Sequence, residues 1–251
     1  MATIYCSTSG SNTSPYDTKA KAATNLDTAL GAASAGDTVL LESSYVETVS
    51  AAKTFTIPAG VSVITINYST DLRQPMANVG GYIGRPSGTS YALTFTLGSG
   101  AYLYGLRGVI APNFTNANIT AQTTASAAAL VVLDSCTFTN NARGSTASIQ
   151  IGRTNSNNSA SVMQLRNCVL EAAGAQTGSG SGRVKFSMLG DMIGGRIYRL
   201  SPGLYSVANM IGVAGTNDEG GGAIRFIGVD LSGAISDVGL VDAGSGSAAH
   251  V

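Results

Sequence analysis

Apolar residues follow two different rhythms along this chain. From Tyr16 to Ala33, the residues Ala20, Ala23, Leu26, Leu30 and Ala33 fall three and four positions apart, which marks one stripe of an α-helix. Asp17 is placed to cap its start and Gly36 to end it. Beyond Gly36 the rhythm changes to short alternating or continuous runs. These are Val39-Leu41, Val61-Ile66, Tyr91-Leu97, Ala129-Leu133, Ser148-Ile151, Val162-Leu165, Val184-Met188, Val207-Ile211 and Ala223-Ile227. Clusters of Gly, Asn, Ser and Thr separate them, as turns separate strands. One N-terminal helix followed by many short strands predicts an all-β architecture.

Self-similarity narrows the choice. Val131-x-Leu133-x-x-Cys136-x-Phe138, Met163-x-Leu165-x-x-Cys168-x-Leu170 and Ile224-x-Phe226-x-x-Val229-x-Leu231 share one pattern. It reads as two apolar residues on one face, a two-residue corner, a small apolar residue and another apolar one. Tyr104-x-Leu106-x-x-Val109-x-Ala111 fits weakly, and Phe186-x-Met188-x-x-Asp191-x-Ile193 fits with Asp191 in the small apolar slot. A strand, a tight corner and a strand, recurring at roughly 25 to 35 residues, describe one coil of a β-solenoid. Coils stack in parallel, so Cys136 and Cys168 are expected one above the other. Such a pair could form a disulfide or hold a metal, but a small buried residue in a core ladder needs neither. The helix is expected to cap the open end, with Val39-Leu41 in the first coil beneath it.

Charge adds mainly exclusions. The 251 residues carry 14 basic and 14 acidic side chains, 11% of the chain, with no tryptophan and 32 glycines. Nucleic-acid binding needs a basic surplus on one face, and none is present. The densest basic pieces, Lys19/Lys21 and Arg183/Lys185, alternate with neutral residues and read as solvated faces. Met1 to Cys6 lacks a basic and apolar leader pattern, and the longest apolar run, Ala127 to Leu133, is too short to span a bilayer. A soluble protein made in a cytoplasm, without membrane partners, is the expectation. Cys6, Cys136 and Cys168 fit neither a disulfide framework nor paired zinc ligands. Asn67, Asn113 and Asn118 head glycosylation-type triplets that an Asn/Ser/Thr-rich chain produces by chance.

The N-terminal residues resemble a known family. Ile4-Tyr5-Cys6-x-x-x-Gly10-Ser11-Asn12, then Pro15-Tyr16, an alanine-rich helix, Ala35-Gly36-Asp37-Thr38-Val39 and Tyr45-x-Glu47 are similar to the start of right-handed parallel β-helix proteins of the pectate-lyase-like superfamily. The resemblance is close over the first 50 residues and rests on the coil pattern thereafter. It implies an extended segment and capping helix over residues 1–36 and one continuous right-handed, single-stranded β-helix over 37–251. The superfamily contains polysaccharide lyases and hydrolases, and many tailed-bacteriophage virion proteins.

Catalytic chemistry is sparse. Glycan hydrolysis needs paired carboxylates facing a groove, and the related lyases hold Ca²⁺ with clustered Asp or Glu. Only Asp218-Glu219 are adjacent acids, followed by Gly220-Gly221-Gly222, and the ligand spacing of a calcium loop is missing. The single histidine, His250, stands next to the last residue. Gly178-Ser179-Gly180-Ser181-Gly182 lacks a phosphate-loop ending. Asp134 and Arg166 flank equivalent corners and could meet across stacked coils. Ten tyrosines, at 5, 16, 45, 68, 82, 91, 102, 104, 198 and 205, could offer a sugar-stacking surface, Tyr102 and Tyr104 from one side of a strand. An interior ladder or a subunit interface would explain that pair equally well. No catalytic, cofactor-binding or metal-binding residue is assigned.

Three functions fit these residues. The first is a non-enzymatic structural protein of a bacteriophage virion, a homotrimer whose partners are the major capsid protein or tail proteins. Because the cap signature starts almost at Met1, a capsid decoration protein is expected ahead of a tailspike or fibre. The second is a polysaccharide lyase or glycoside hydrolase, and the third a module that binds a surface glycan or receptor without cleaving it.

Overall fold

The computed structural model describes residues 1–76, 81–85, 90–111, 116–123, 129–142, 148–152, 162–173, 183–200, 209–213, 223–234, 239–243 and 248–250. Among these residues the strands form three all-parallel sheets of nine, six and seven strands, with one α-helix. The chain visits the sheets in rotation. Val131–Asp134 lies in the nine-stranded sheet, Thr137–Asn140 in the six-stranded and Ser148–Gly152 in the seven-stranded, and Val162–Arg166 then returns to pair with Val131–Asp134. This is an all-β fold of the parallel β-helix type, in which, among the described residues, six complete circuits each add one strand to every sheet.

Register shows why the sequence winds this way. Ile4, Val39, Val63, Leu103, Leu133, Leu165, Met192 and Phe226 are successive pairing partners, and all eight are buried. The alternate residues point out, so each strand contributes a period-two apolar face to one continuous core. Successive members lie between 24 residues apart (Val39 to Val63) and 40 (Val63 to Leu103), a wider spread than the sequence pattern suggests. The length difference goes into the connecting segments, while the ladder keeps its register.

The two-residue corner is confirmed, with its cause. Gly105, Ser135, Asn167, Gly194 and Gly228 all have positive φ, between 52° and 72°. Their backbone N–H groups carry the ladder around the bend: Gly105 donates to Asp134, Ser135 to Arg166, Asn167 to Ile193 and Gly194 to Ile227. Glycine takes this conformation freely, and Asn tolerates it best among residues with a Cβ. The register also corrects two repeats. Leu103 and Leu106, followed by Gly108, match Leu133, Cys136 and Phe138, so the pattern begins at Ala101 rather than Tyr104. Met192 stacks on Leu165 and Ile197 on Leu170, so Gly195 takes the corner slot and Asp191 faces outward. Gly108 stands among larger neighbours because an added Cβ would come within 3.2 Å of Phe138 and 3.3 Å of Phe95.

Cys136 and Cys168 occupy equivalent corners and are buried free thiols, as is Cys6. Their sulfurs sit against the carbonyls of Leu103 and Leu133, at 3.7 Å and 3.4 Å. Asn140, also buried, is satisfied throughout. Its Nδ2 donates to the carbonyls of Ala117 and Ser148, and its Oδ1 accepts from Ala142 N–H, which fastens the corner between two sheets.

The helix is shorter than the apolar stripe predicts. It spans Leu26–Ala32, and Asn25 caps it by accepting from Thr28 N–H at 2.8 Å. Residues 20–23 hydrogen-bond instead to the N-terminal segment. Ser11 N–H reaches Ala20, Asn12 N–H reaches Ala22, and Ala23 N–H reaches Tyr5. Asp17 pairs with Lys21 rather than capping, and Ala33, in extended conformation, closes the helix ahead of Gly36. Leu26, Ala29 and Leu30 are buried, and the helix packs against Thr3–Cys6 and Lys53–Ile57, over the N-terminal end of the core.

Candidate functional site

The N-terminal motif residues fasten this cap. Asp37 accepts from Ala2 N–H at 2.5 Å and from Ser34 N–H at 3.0 Å, tying the first strand and the post-helix turn to the first coil. Those two bonds hold its carboxyl below the usual range. Glu47 pairs with buried Ile83, so its carboxylate enters the end of the core. There Oε2 accepts from Leu26 N–H at 3.0 Å and from the Tyr45 hydroxyl. Burial pushes the Tyr45 hydroxyl well up, and burial pushes the neighbouring Cys6 thiol up to about 12. Asp37, Tyr45 and Glu47 are therefore structural residues, matched to orphan donors at the chain start and helix N-terminus.

What the fold offers to partners is the outward face of each sheet. On the nine-stranded sheet, the segment after Ile66 folds back over the first strands. Tyr68 donates to the carbonyls of Cys6 and Leu40, both at 3.0 Å, and meets Tyr5 edge-on. Past this cover, Arg73 lies over the Tyr104 ring at 5.6 Å, and Tyr102 donates to Asp134 at 3.1 Å. Burial and Asp134 together raise the Tyr102 hydroxyl. Tyr102 and Tyr104 thus share the outer side, not an interior ladder. Asp134 and Arg166 are register partners, yet Asp134 engages Tyr102 and Ser135 while Arg166 donates to Gln164 at 2.7 Å. The expected ion pair is replaced, two coils further on, by Arg225 clasping Asp191 with two bonds at 2.7 Å and 3.0 Å.

On the six-stranded sheet the outward residues form a cluster around Glu171. It accepts from Thr139 at 2.8 Å and from the Tyr198 hydroxyl, and Arg196 stands 3.6 Å away with its guanidinium over the Tyr198 ring. Burial and the Glu171 bond push Tyr198 up to about 12. Each acid here already has its partners.

The seven-stranded sheet differs. Thr54, Thr94, Thr120, Gln150 and Lys185 form one outward row, and Thr56, Thr96 and Gln122 another. The signal was present in the sequence as the repeated Thr54-Phe55-Thr56 and Thr94-Phe95-Thr96. It passes unnoticed because alternating threonines read as any solvated strand face.

The basic pieces divide. Lys19 pairs with Asp71 at 2.6 Å and Lys21 with Asp17 at 3.0 Å near the surface. Arg183, read as solvated, is instead among the largest fully buried side chains. Its carbonyl receives Ile149 N–H, which locks it at the corner opening a strand, a placement that charge spacing does not encode. Burial, with Arg199 nearby, lowers its guanidinium to about 10.

Among the described residues no three His, Cys, Asp or Glu side chains converge as a metal-binding group would. No helix among them is long and apolar enough to cross a membrane. Asp218-Glu219 with its glycines, Gly178 to Gly182, Asn113, Tyr205 and the side chains of Tyr91 and His250 lie outside the described residues. No protein-family model, curated protein or solved structure matches the chain.

Proposed function

We propose that the chain is a right-handed, single-stranded parallel β-helix of the kind found in tailed-bacteriophage virions, and that it is a non-enzymatic structural component working as a homotrimer. A capsid decoration protein is the form proposed. The observation that carries this reading is the outward face of the seven-stranded sheet, a polar strip without charge over the three neighbouring strands Ser90–Leu97, Asn116–Thr123 and Ser148–Gly152, suited to contact between protein surfaces. The resemblance of the cap residues Asp37, Tyr45 and Glu47 supports it as well, since their hydrogen bonds give that motif a physical task. Such a protein acts mechanically. By bridging neighbouring capsomers it binds the assembled shell and not the dispersed subunits, which shifts the equilibrium toward the intact particle.

Immunogold labelling of purified virions with antibody to this chain tests the proposal. Regular labelling of heads supports decoration, labelling of tails moves the protein to an appendage, and unlabelled particles overturn the virion reading.

A second reading has its own observation. Arg73 over Tyr104, beside Tyr102 and Asp134, joins aromatic, cationic and acidic groups on one outer face, a combination that suits a surface glycan. A glycan-binding screen, with product analysis in the presence and absence of Ca²⁺, separates binding from cleavage, and no retained glycan removes this reading.

A further inference from the structure

We infer that Cys136 and Cys168 form a latent disulfide site, which a small-molecule disulfide such as oxidised glutathione closes across two successive coils. The inference stands apart from the virion and glycan readings.

Register brings the two thiols together. Thr137 pairs with Val169, and Val169 N–H donates to the Cys136 carbonyl at 2.9 Å, so the cysteines are neighbours in one column although 32 residues apart in sequence. In-register parallel strands lie about 4.8 Å apart, within the roughly 4.4–6.8 Å between Cα atoms that a disulfide spans. Both side chains are buried in the core. Cys168 leans back toward its neighbour. Its sulfur is 3.4 Å from the Leu133 carbonyl, in the Cys136 coil, and lies against the Cys136 thiol and backbone N–H. The column continues to Gly195, which adds no side chain beside Cys168. Cys6 ends Thr3–Cys6, four strands away from Val131–Asp134 in the nine-stranded sheet, so it does not compete for either sulfur.

Closing the bond is an exchange. One thiol loses its proton and attacks a sulfur of oxidised glutathione, and the glutathione thiolate that leaves takes up a proton. The second cysteine, deprotonated in turn, attacks the protein sulfur of this mixed disulfide and releases the second glutathione. Two protein S–H bonds and one glutathione S–S bond are replaced by one protein S–S bond and two glutathione S–H bonds. Both thiols are enclosed in the folded chain, so exchange takes place while the coils are parted, during folding or local opening. The finished bond is then shielded from reductant by the same burial.

The consequence is a coil stack whose middle responds to the redox conditions in which it folds. A bond from Cys136 to Cys168 restricts the unfolded chain and lowers the unfolding constant by on the order of a hundredfold.

The test is refolding of the whole chain from denaturant with either reduced or oxidised glutathione, followed by intact mass, peptide mapping and urea unfolding. The inference predicts that the oxidised sample loses the mass of two hydrogen atoms and yields one cross-linked peptide pair holding Cys136 and Cys168. It should keep its far-UV circular dichroism and unfold at higher urea than the reduced sample. Reduced glutathione should leave the bond intact in native protein and cleave it in denaturant. Cys6→Ala is expected to show the same gain and Cys168→Ala none. If Cys168→Ala fails to fold, the two wild-type samples and Cys6→Ala still decide. Three free thiols after oxidative refolding, a cross-link through Cys6, or a bond between Cys136 and Cys168 that lowers the urea midpoint would overturn the inference.

Discussion

Removing the Glu47 carboxylate is the sharpest test of how the coil stack is closed. Its Oε2 is the acceptor for two donors at the end of the core, Leu26 N–H at the helix start and the buried Tyr45 hydroxyl. Glu47→Ala leaves both without that acceptor. A hydrogen bond to a charged group contributes about 1.5–3 kcal/mol, and a buried donor left unmade costs about 1–3 kcal/mol. Leu26 and Tyr45 are both fully enclosed, and the expected loss is about 2–4 kcal/mol. For a chain of 251 residues, about 2 °C of Tm corresponds to each kcal/mol, so Tm falls by about 4–8 °C if the cap and coils unfold together. Amide exchange reads the alternative, in which the cap opens alone and protection is lost at Leu26–Ala32 while Leu133 and Leu165 keep theirs. Glu47→Gln retains an acceptor oxygen and is expected to lose less than half as much. Asp17→Ala, at an exposed i,i+4 pair, sets the baseline at about 0.5 kcal/mol or less. A Glu47→Ala protein with unchanged Tm and unchanged exchange at the helix would refute the capping role.

Other consequences follow from the same geometry. Leu133→Ala, in the middle of the core ladder, is expected to cost about 2–5 kcal/mol, and Val132→Ala on the outer side of the same strand under about 1 kcal/mol; equal losses in urea unfolding would contradict the alternation. Asn140→Ala removes three buried hydrogen bonds and should cost about 2–4 kcal/mol by the same assay, with a near-neutral result counting against the corner's role. Asp37 has a folded pKa lowered below 3.8, so its contribution is present above that value and lost as pH falls through the folded value. Asp37→Asn should accordingly flatten the acid limb of a stability-versus-pH curve, and an unchanged limb would contradict the assignment. Burial and raised pKa values make Cys6 and Cys168 poor thiolates, so native protein should resist thiol reagents that label all three cysteines in denaturant.

The coil was legible in the sequence where side chains alone set it. Leu133-x-x-Cys136 and Leu165-x-x-Cys168 show the corner because both of its apolar residues must be buried, and the structure places each pair where the pattern does. The frame was lost at Gly105 and Gly194-Gly195, where the corner is made by backbone conformation and the diagnostic small apolar residue gives way to Leu106 or a second glycine. The helix was overextended for a related reason. Ala20 and Ala23 fit an apolar stripe, but their carbonyls serve Ser11 and Ser7, and a stripe does not register competition from a distant strand. Surface chemistry was the least legible. Asp134 and Arg166 do lie side by side, yet which partner each takes depends on Tyr102 and Gln164, positions that only the register brings together.

The central claim is that the chain advances one strand spacing per circuit, and electron spin distance measurement tests it most directly. Thr38 and Arg225 both face outward from the nine-stranded sheet and stand in one register column through Ser62, Tyr102, Val132, Gln164 and Asp191. Six steps of about 4.8 Å place their backbones about 29 Å apart despite a separation of 187 residues in sequence. Spin labels at Thr38→Cys and Arg225→Cys, in a chain whose native cysteines are replaced by alanine and diluted with unlabelled protein, should give one narrow distribution near that distance. A broad distribution, or a peak displaced by more than the reach of the labels, would contradict the stacked-coil path.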